Sequence, residues 1–156
     1  MADIVNTSTR SRIMSSIRSA DTQPEMALRR LLHAAGLRYG LHRKNLPGKP
    51  DIVLTRWKAV VLVHGCFWHR HSGCHWCTTP ATNSEFWNAK FAKNVQRDQQ
   101  CVHELLGLGW RVATVWECAL RGEDAPRSAD LIQDWLRSDH QQFETGIIRP
   151  QCSFSA

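Results

Sequence analysis

Lys49-Pro50-Asp51-Ile52-Val53-Leu54, Ala59-Val60-Val61-Leu62-Val63-His64-Gly65-Cys66-Phe67-Trp68-His69-Arg70-His71 and Cys74-His75-Trp76-Cys77 follow one another in under thirty residues. The first two apolar runs predict strands over residues 51–55 and 59–64, joined by a short polar connection. An acid opens the first strand, and four His and three Cys lie in or just beyond the second. Generic core packing needs no such concentration of ligand-type side chains, so the stretch points to chemistry beside a metal.

Outward from this centre the pattern alternates helix and strand. Thr22 with Glu25 has the form of a capping box, and Leu28, Leu31, Leu32 and Ala35 follow at helical spacing until Gly36. Residues 38–43 predict a further strand, and Leu46-Pro47-Gly48 a turn. Downstream, Thr82 and Glu85 repeat the capping pattern ahead of a long helix whose Phe91, Val95, Val102, Leu105 and Leu106 share a face; Gly107 and Gly109 end it. Residues 110–116 read as an apolar strand, and Leu131, Ile132, Trp135 and Leu136 mark a closing helix. The order predicts an α/β fold with a mixed sheet flanked by helices.

A chain of 156 residues fits a single domain, 1–156, with a basic arm or short helix at 1–20 that orders on its ligand and a tail at 141–156. No apolar run is long enough to span a membrane and the polar start lacks a signal core, which predicts a cytoplasmic protein. In that setting six Cys mixed with His favour metal binding or reduced thiols over disulfides. The formal charge of +6 and pI near 9.3 point toward a polyanionic partner. Arg10, Arg12 and Arg18 concentrate part of that charge in the arm, around Ile13, Met14 and Ile17.

Three constellations carry the chemistry. Cys66, His71 and Cys74 have spacings suited to tetrahedral zinc, with Cys77, His75 or the distant Cys118 as the fourth ligand. A closed four-ligand site without His-Glu-x-x-His argues against a zinc hydrolase. Asp51, at the head of its strand, offers hard oxygen to Mg²⁺, while His64, His69 and Glu25 offer proton transfer and orientation. The plainer reading has Asp51 capping a turn and Glu25 completing its own capping box. Phe67-Trp68 and Phe86-Trp87, with Trp76 between, are suited to stacking on bases, or alternatively to packing around the metal.

Several segments together resemble the very-short-patch repair DNA mismatch endonucleases. They are Leu46-Pro47-Gly48-Lys49-Pro50-Asp51, His64-Gly65-Cys66-Phe67-Trp68-His69, Pro80-Ala81-Thr82, Glu85-Phe86-Trp87, Lys93-Asn94-Val95 with Arg97-Asp98, Gly109-Trp110-Arg111-Val112, and Val115-Trp116-Glu117-Cys118-Ala119-Leu120. The resemblance covers roughly residues 8–122 in one consistent order. It implies a restriction-endonuclease-like mixed sheet with a structural zinc, and Mg²⁺-dependent incision of one strand beside the thymine of a T:G mismatch. Such a mismatch arises by deamination of 5-methylcytosine, and the nick begins local repair.

Matched position by position, the resemblance makes Asp51 the metal-binding aspartate, His69 the catalytic histidine, and His64 and Glu25 the groups that orient water. It gives the backbone carbonyl of Val63 to the Mg²⁺ shell, at a position where other members carry Thr. The second acid and lysine of ordinary restriction enzymes are absent, with Leu62 and His64 in that strand. The zinc ligands fall on Cys66, His71, Cys74 and Cys118. Phe67, Trp68 and Trp87 match an aromatic wedge that enters the duplex, and Met14 a contact from the opposite groove. The implied partners are mismatched double-stranded DNA and mismatch-repair proteins, bound by a monomer. Two other readings share the charge, zinc and aromatics: a zinc-stabilised DNA-binding module that does not cut, and a restriction-like nuclease acting on matched DNA.

Overall fold

The computed structural model describes residues 20–146. Helix α1 spans Gln23–Ala34. Thr22, in extended backbone, caps it with Oγ1 3.5 Å from the Glu25 N–H, and Pro24 occupies the first turn, where a missing N–H costs nothing. Only half of the expected capping box forms, because the Glu25 carboxylate accepts from the Asp21 N–H instead of turning back to Thr22. Leu28 and Leu32 are fully buried on the inner face.

The sheet has five strands in the order β1 (Gly40–Leu41), β2 (Ile52–Leu54), β3 (Ala59–His64), β4 (Arg111–Trp116) and β5 (Gln142–Glu144). The first two pairings are antiparallel and the last two parallel, so the predicted mixed sheet is present. Side chains alternate across it. Ile52, Leu54, Ala59, Val61, Ala113 and Val115 face α1 and helix α3 (Asp124–Arg137), whose Ile132, Trp135 and Leu136 are buried there. Val53, Val60, Leu62 and Val112 face helix α2 (Ser84–Gly107) through Leu105. Two cores on two faces explain why β2 and β3 read as continuous apolar runs rather than alternating ones.

The parallel pairing of β3 with β4 is what builds the site. His64 lies in register with Trp116, so both strands reach the same edge of the sheet together. Residues two positions further along each strand, Cys66 and Cys118, then approach one another beyond that edge. The α2 crossover between the strands carries a second set of polar groups back across the same edge. Gly48, at φ +72°, supplies the turn before β2; a Cβ there would come within 2.7 Å of Cys101 Sγ on α2, so only glycine lets the turn lie this close.

Three further local features differ from the sequence reading. The strand expected over residues 38–43 contracts to Gly40–Leu41, because His42 takes a left-handed conformation at φ +44°. Helix α2 starts after Asn83, itself left-handed and making no side-chain cap, so the Thr82/Glu85 box is not used. Strand β5 falls in the stretch read only as a tail. Arg111 prepares it by donating to the carbonyls of Trp135, Leu136, Ser138 and His140, which caps α3 and fixes the chain's return to the sheet. Among the described residues no helix is long and apolar enough to cross a membrane.

Candidate active site and metal centre

The proposed catalytic residues fall into two adjoining groups at the ends of β2 and β3. Asp51, just ahead of β2, accepts the Val63 N–H on Oδ2 at 2.8 Å, which ties the carboxylate to the end of β3. Glu25 reaches the same place from α1 and is almost wholly buried, at 1% exposure. Its Oε1 lies 2.6 Å from His42 Nε2, and His42 in turn stands 3.9 Å from Asp51 Oδ1. Burial pushes the Asp51 carboxyl up to about 7; the nearby Glu25 carboxylate adds to the rise, while the Val63 N–H and His42 oppose it. Two carboxylates confined side by side repel one another, and the charge of a hard divalent cation at this place would relieve that repulsion.

The second group is built from imidazoles. The His64 and His69 rings stack at 4.0 Å and 5°, and Trp116 meets His64 edge-on. Burial and the neighbouring His69 lower His64 to about 3, so it stays neutral in any ordinary buffer. Asp98, on α2, holds His69 Nδ1 at 2.6 Å. With Nδ1 engaged, His69 presents Nε2 as the remaining proton acceptor, directed by a carboxylate. A groove of about 850 Å³ opens beside His64, His69 and Asp98 and runs between α2 and the β4–β5 edge.

Cys66, His71, Cys74 and Cys118 converge as a third cluster, all four buried, with one ligand atom from each within 4.8 Å of the others. His71 Nδ1 is 3.7 Å from Cys66 Sγ and 3.5 Å from Cys118 Sγ. A tetrahedron with Zn–S near 2.3 Å and Zn–N near 2.0–2.1 Å has an S–N edge of about 3.5 Å, so the spacing fits zinc. Burial pushes the Cys66 thiol up, helped by Cys118 and Cys74. A bound cation reverses that tendency, since ligating thiols must be ionised. Successive turns, His71 N–H to Cys66 O and Cys74 N–H to His71 O at 3.1 Å each, shape the loop. Cys77 packs on the cluster's edge without joining the four. Trp116 links this cluster to the imidazoles: it stacks on His71 at 4.2 Å and 4°, and its Nε1 donates to Glu144 at 2.6 Å.

The aromatic residues form their own group on the loop after β3 and the start of α2. Phe67 makes edge contacts with Trp68, Trp87 and Phe91, and Trp68 lies tilted against Trp87. These rings pack on one another rather than on the cysteines. Trp87 is buried, whereas neighbouring Phe86 is 59% exposed. Arg70 clamps the loop: its guanidinium lies 4.0 Å over Phe91 and donates to Phe67 O, Thr78 O and Thr79 Oγ1. Met14 lies outside the described residues.

His42 and Asp98 are the two site residues that the sequence reading did not single out. Asp98 does sit in the Lys93 to Asp98 segment on which the resemblance draws, but nothing in spacing ties it to His69, 29 residues away.

The arrangement is that of an α/β fold with carboxylates and imidazoles gathered at one sheet edge and a Cys3His candidate metal site beside them. The family model described as DNA mismatch endonuclease Vsr matches residues 2–76. The DNA mismatch endonuclease Vsr of Escherichia coli K12 is 42% identical over 139 residues, covering 87% of this chain and 88% of that protein. The type II nicking enzyme V.XorIIP of Xanthomonas oryzae pv. oryzae is 46% identical over 77% of this chain and 88% of its own length. Among solved structures, the catalytic domain of the homing endonuclease I-Bth0305I superposes with a TM-score of 0.50 at 21% identity, over 74% of this chain and 94% of that domain, a likeness of fold. The chain belongs to the Vsr family of DNA mismatch endonucleases.

Proposed function

We propose that this protein is a Mg²⁺-dependent endonuclease that nicks one strand of DNA beside the thymine of a T:G mismatch, beginning very-short-patch repair. The observation that carries the reading is the meeting of the Asp51–Glu25 carboxylates with the His69–Asp98 pair at one sheet edge, in a chain of this family. Asp51 and the Val63 carbonyl would hold a divalent cation, which when bound would supply polarisation of the scissile phosphate and charge neutralisation at the leaving oxygen. The Val63 N–H fixes the Asp51 carboxylate at the end of β3. Glu25, itself buried and anchored by His42, the Asp21 N–H and Arg29, orients the attacking water. His69 takes the water's proton on Nε2 while Asp98 holds the ring by Nδ1. His64, stacked on His69, orients water together with Glu25; a group held near 3 is a poor second base. In-line attack leaves a 5′-phosphate and a 3′-hydroxyl.

Recognition is assigned to Phe67, Trp68 and Trp87 as the wedge beside the mismatch, with Met14 of the arm in the opposite groove. A wobble pair costs less to unstack than a matched pair, so aromatic insertion favours mismatches. Zinc at Cys66, His71, Cys74 and Cys118 is structural. The protein acts as a single domain and a monomer in the cytoplasm, on double-stranded DNA and in company with mismatch-repair proteins. Asp51→Ala tests the assignment: it should abolish nicking of a T:G duplex while mismatch binding, read by gel shift, stays within about threefold of wild type. Retained Mg²⁺-dependent nicking would remove Asp51 from the centre.

A further inference from the structure

His42 occupies a backbone position that side chains rarely adopt, φ +44°, at the end of β1. Its own N–H reaches back to the Asp51 carbonyl at 3.4 Å, so the turn brings its ring over the carboxylate pair. From there Nε2 lies 2.6 Å from Glu25 Oε1 and 3.9 Å from Asp51 Oδ1. The other Glu25 oxygen is held separately, by the Asp21 N–H and by Arg29 Nη2 at 3.4 Å. Each oxygen of a buried carboxylate therefore has its own donor, and the rotation of the carboxyl plane is fixed from two sides. Glu25 comes from α1 and Asp51 from the start of β2; His42 is within 4 Å of both. Uncommon backbone retained beside a reactive centre is a recurring mark of functional constraint.

We infer that His42 is a positioning residue of this centre, orienting the Glu25 carboxylate against Asp51 so that Glu25 offers a preformed acceptor to the water of a divalent cation held at Asp51. The inference rests on the reading of Asp51 as the cation's carboxylate ligand and of Glu25 as the group that orients its water. Loss of a group that orients a metal site costs about 10–100-fold in metal affinity. The effect should therefore fall on cation affinity more than on the rate at saturating cation.

Two substitutions separate positioning from simple structural support. Asn tolerates left-handed backbone but is too short to reach Glu25; Gln carries its amide nitrogen to about the place of Nε2. Mn²⁺ binding to the zinc-loaded protein, followed by the free-ion electron paramagnetic signal, should give His42→Gln within about threefold of wild type and His42→Asn weakened about tenfold. The Mg²⁺ concentration for half-maximal nicking of a T:G duplex should shift in parallel, with the maximal rate nearly kept. Zinc content serves as the check on folding. If His42→Asn binds Mn²⁺ as wild type does, or His42→Gln is as weak as His42→Asn, the positioning role is wrong while the Asp51 reading stands. If wild type holds no Mn²⁺ that Asp51→Ala loses, the underlying reading fails and the inference with it.

Discussion

His69 Nδ1 and Asp98 Oδ2 lie 2.6 Å apart, joining the loop after β3 to the middle of α2. The contact selects which ring nitrogen faces the groove and holds the imidazole against rotation, although stacking on His64 already limits its tilt. Asp98→Asn keeps the shape but can donate to Nδ1, favouring the wrong tautomer. It should lower the nicking rate about 10²-fold, the lower range for a positioned general base. Single-turnover nicking set beside duplex affinity checks this: an unchanged rate, or loss of binding in step with rate, would make Asp98 a surface partner only.

Asp51 gives a prediction in pH. Its carboxyl is raised from 3.8 to about 7 in the folded protein, so between these values the folded state binds more protons than the unfolded chain. The stability it contributes is present at acid pH and lost as pH rises through about 7. In Mg²⁺-free solution at pH 8, with zinc retained, Asp51→Asn should therefore melt higher than wild type, by about 3–6 °C for a gain of ~1–2 kcal/mol. The two should converge near pH 4, and added Mg²⁺ should narrow the gap at pH 8 by stabilising wild type alone. Melting curves that stay parallel from pH 4 to 8 would contradict the raised carboxyl.

The cluster of Cys66, His71, Cys74 and Cys118 predicts one tightly held zinc per chain. Cys118→Ser should lose the metal and unfold at lower temperature, because it releases β4 from the loop after β3, whereas Cys77→Ser should keep both metal and fold. Elemental analysis of the two variants distinguishes the ligand sets directly. Zinc lost from Cys77→Ser and kept in Cys118→Ser would overturn the assignment.

The aromatic cluster predicts a change in discrimination. Trp68→Ala should reduce the ratio of T:G to matched duplex affinity about fivefold or more, in line with ~1–3 kcal/mol for a stacked base. Replacing Lys93, on the exposed side of α2, should weaken both duplexes alike if it meets phosphate, and more so at low salt. An unchanged ratio for Trp68→Ala would mean that the rings only pack on one another.

How much of this was legible in the sequence depended on whether a feature is local. Helices α1 and α3 and strands β2, β3 and β4 follow from periodicity and apolar runs, because each buries its face against a large core. The four ligands Cys66, His71, Cys74 and Cys118 were placed by resemblance, while spacing alone left Cys77 and His75 open; the parallel register of His64 with Trp116 is the physical reason for Cys118. Strand β5 escaped because Phe143 is its one apolar residue and its pairing is imposed by Arg111 and by Thr145 Oγ1 accepting the Trp116 N–H. His42 and Asp98 escaped for a related reason: each is a polar residue in a polar stretch, and its partner is brought to it only by the fold.

The most direct test uses one T:G duplex and its matched counterpart, each labelled in turn on either strand, incubated with the zinc-loaded protein and Mg²⁺. A single nick is expected in the thymine-bearing strand beside the mismatch, ending in 5′-phosphate and 3′-hydroxyl, with the matched duplex left intact and no product in EDTA. Equal cleavage of matched and mismatched duplex, or tight mismatch binding with no nick at any Mg²⁺ concentration, would contradict it.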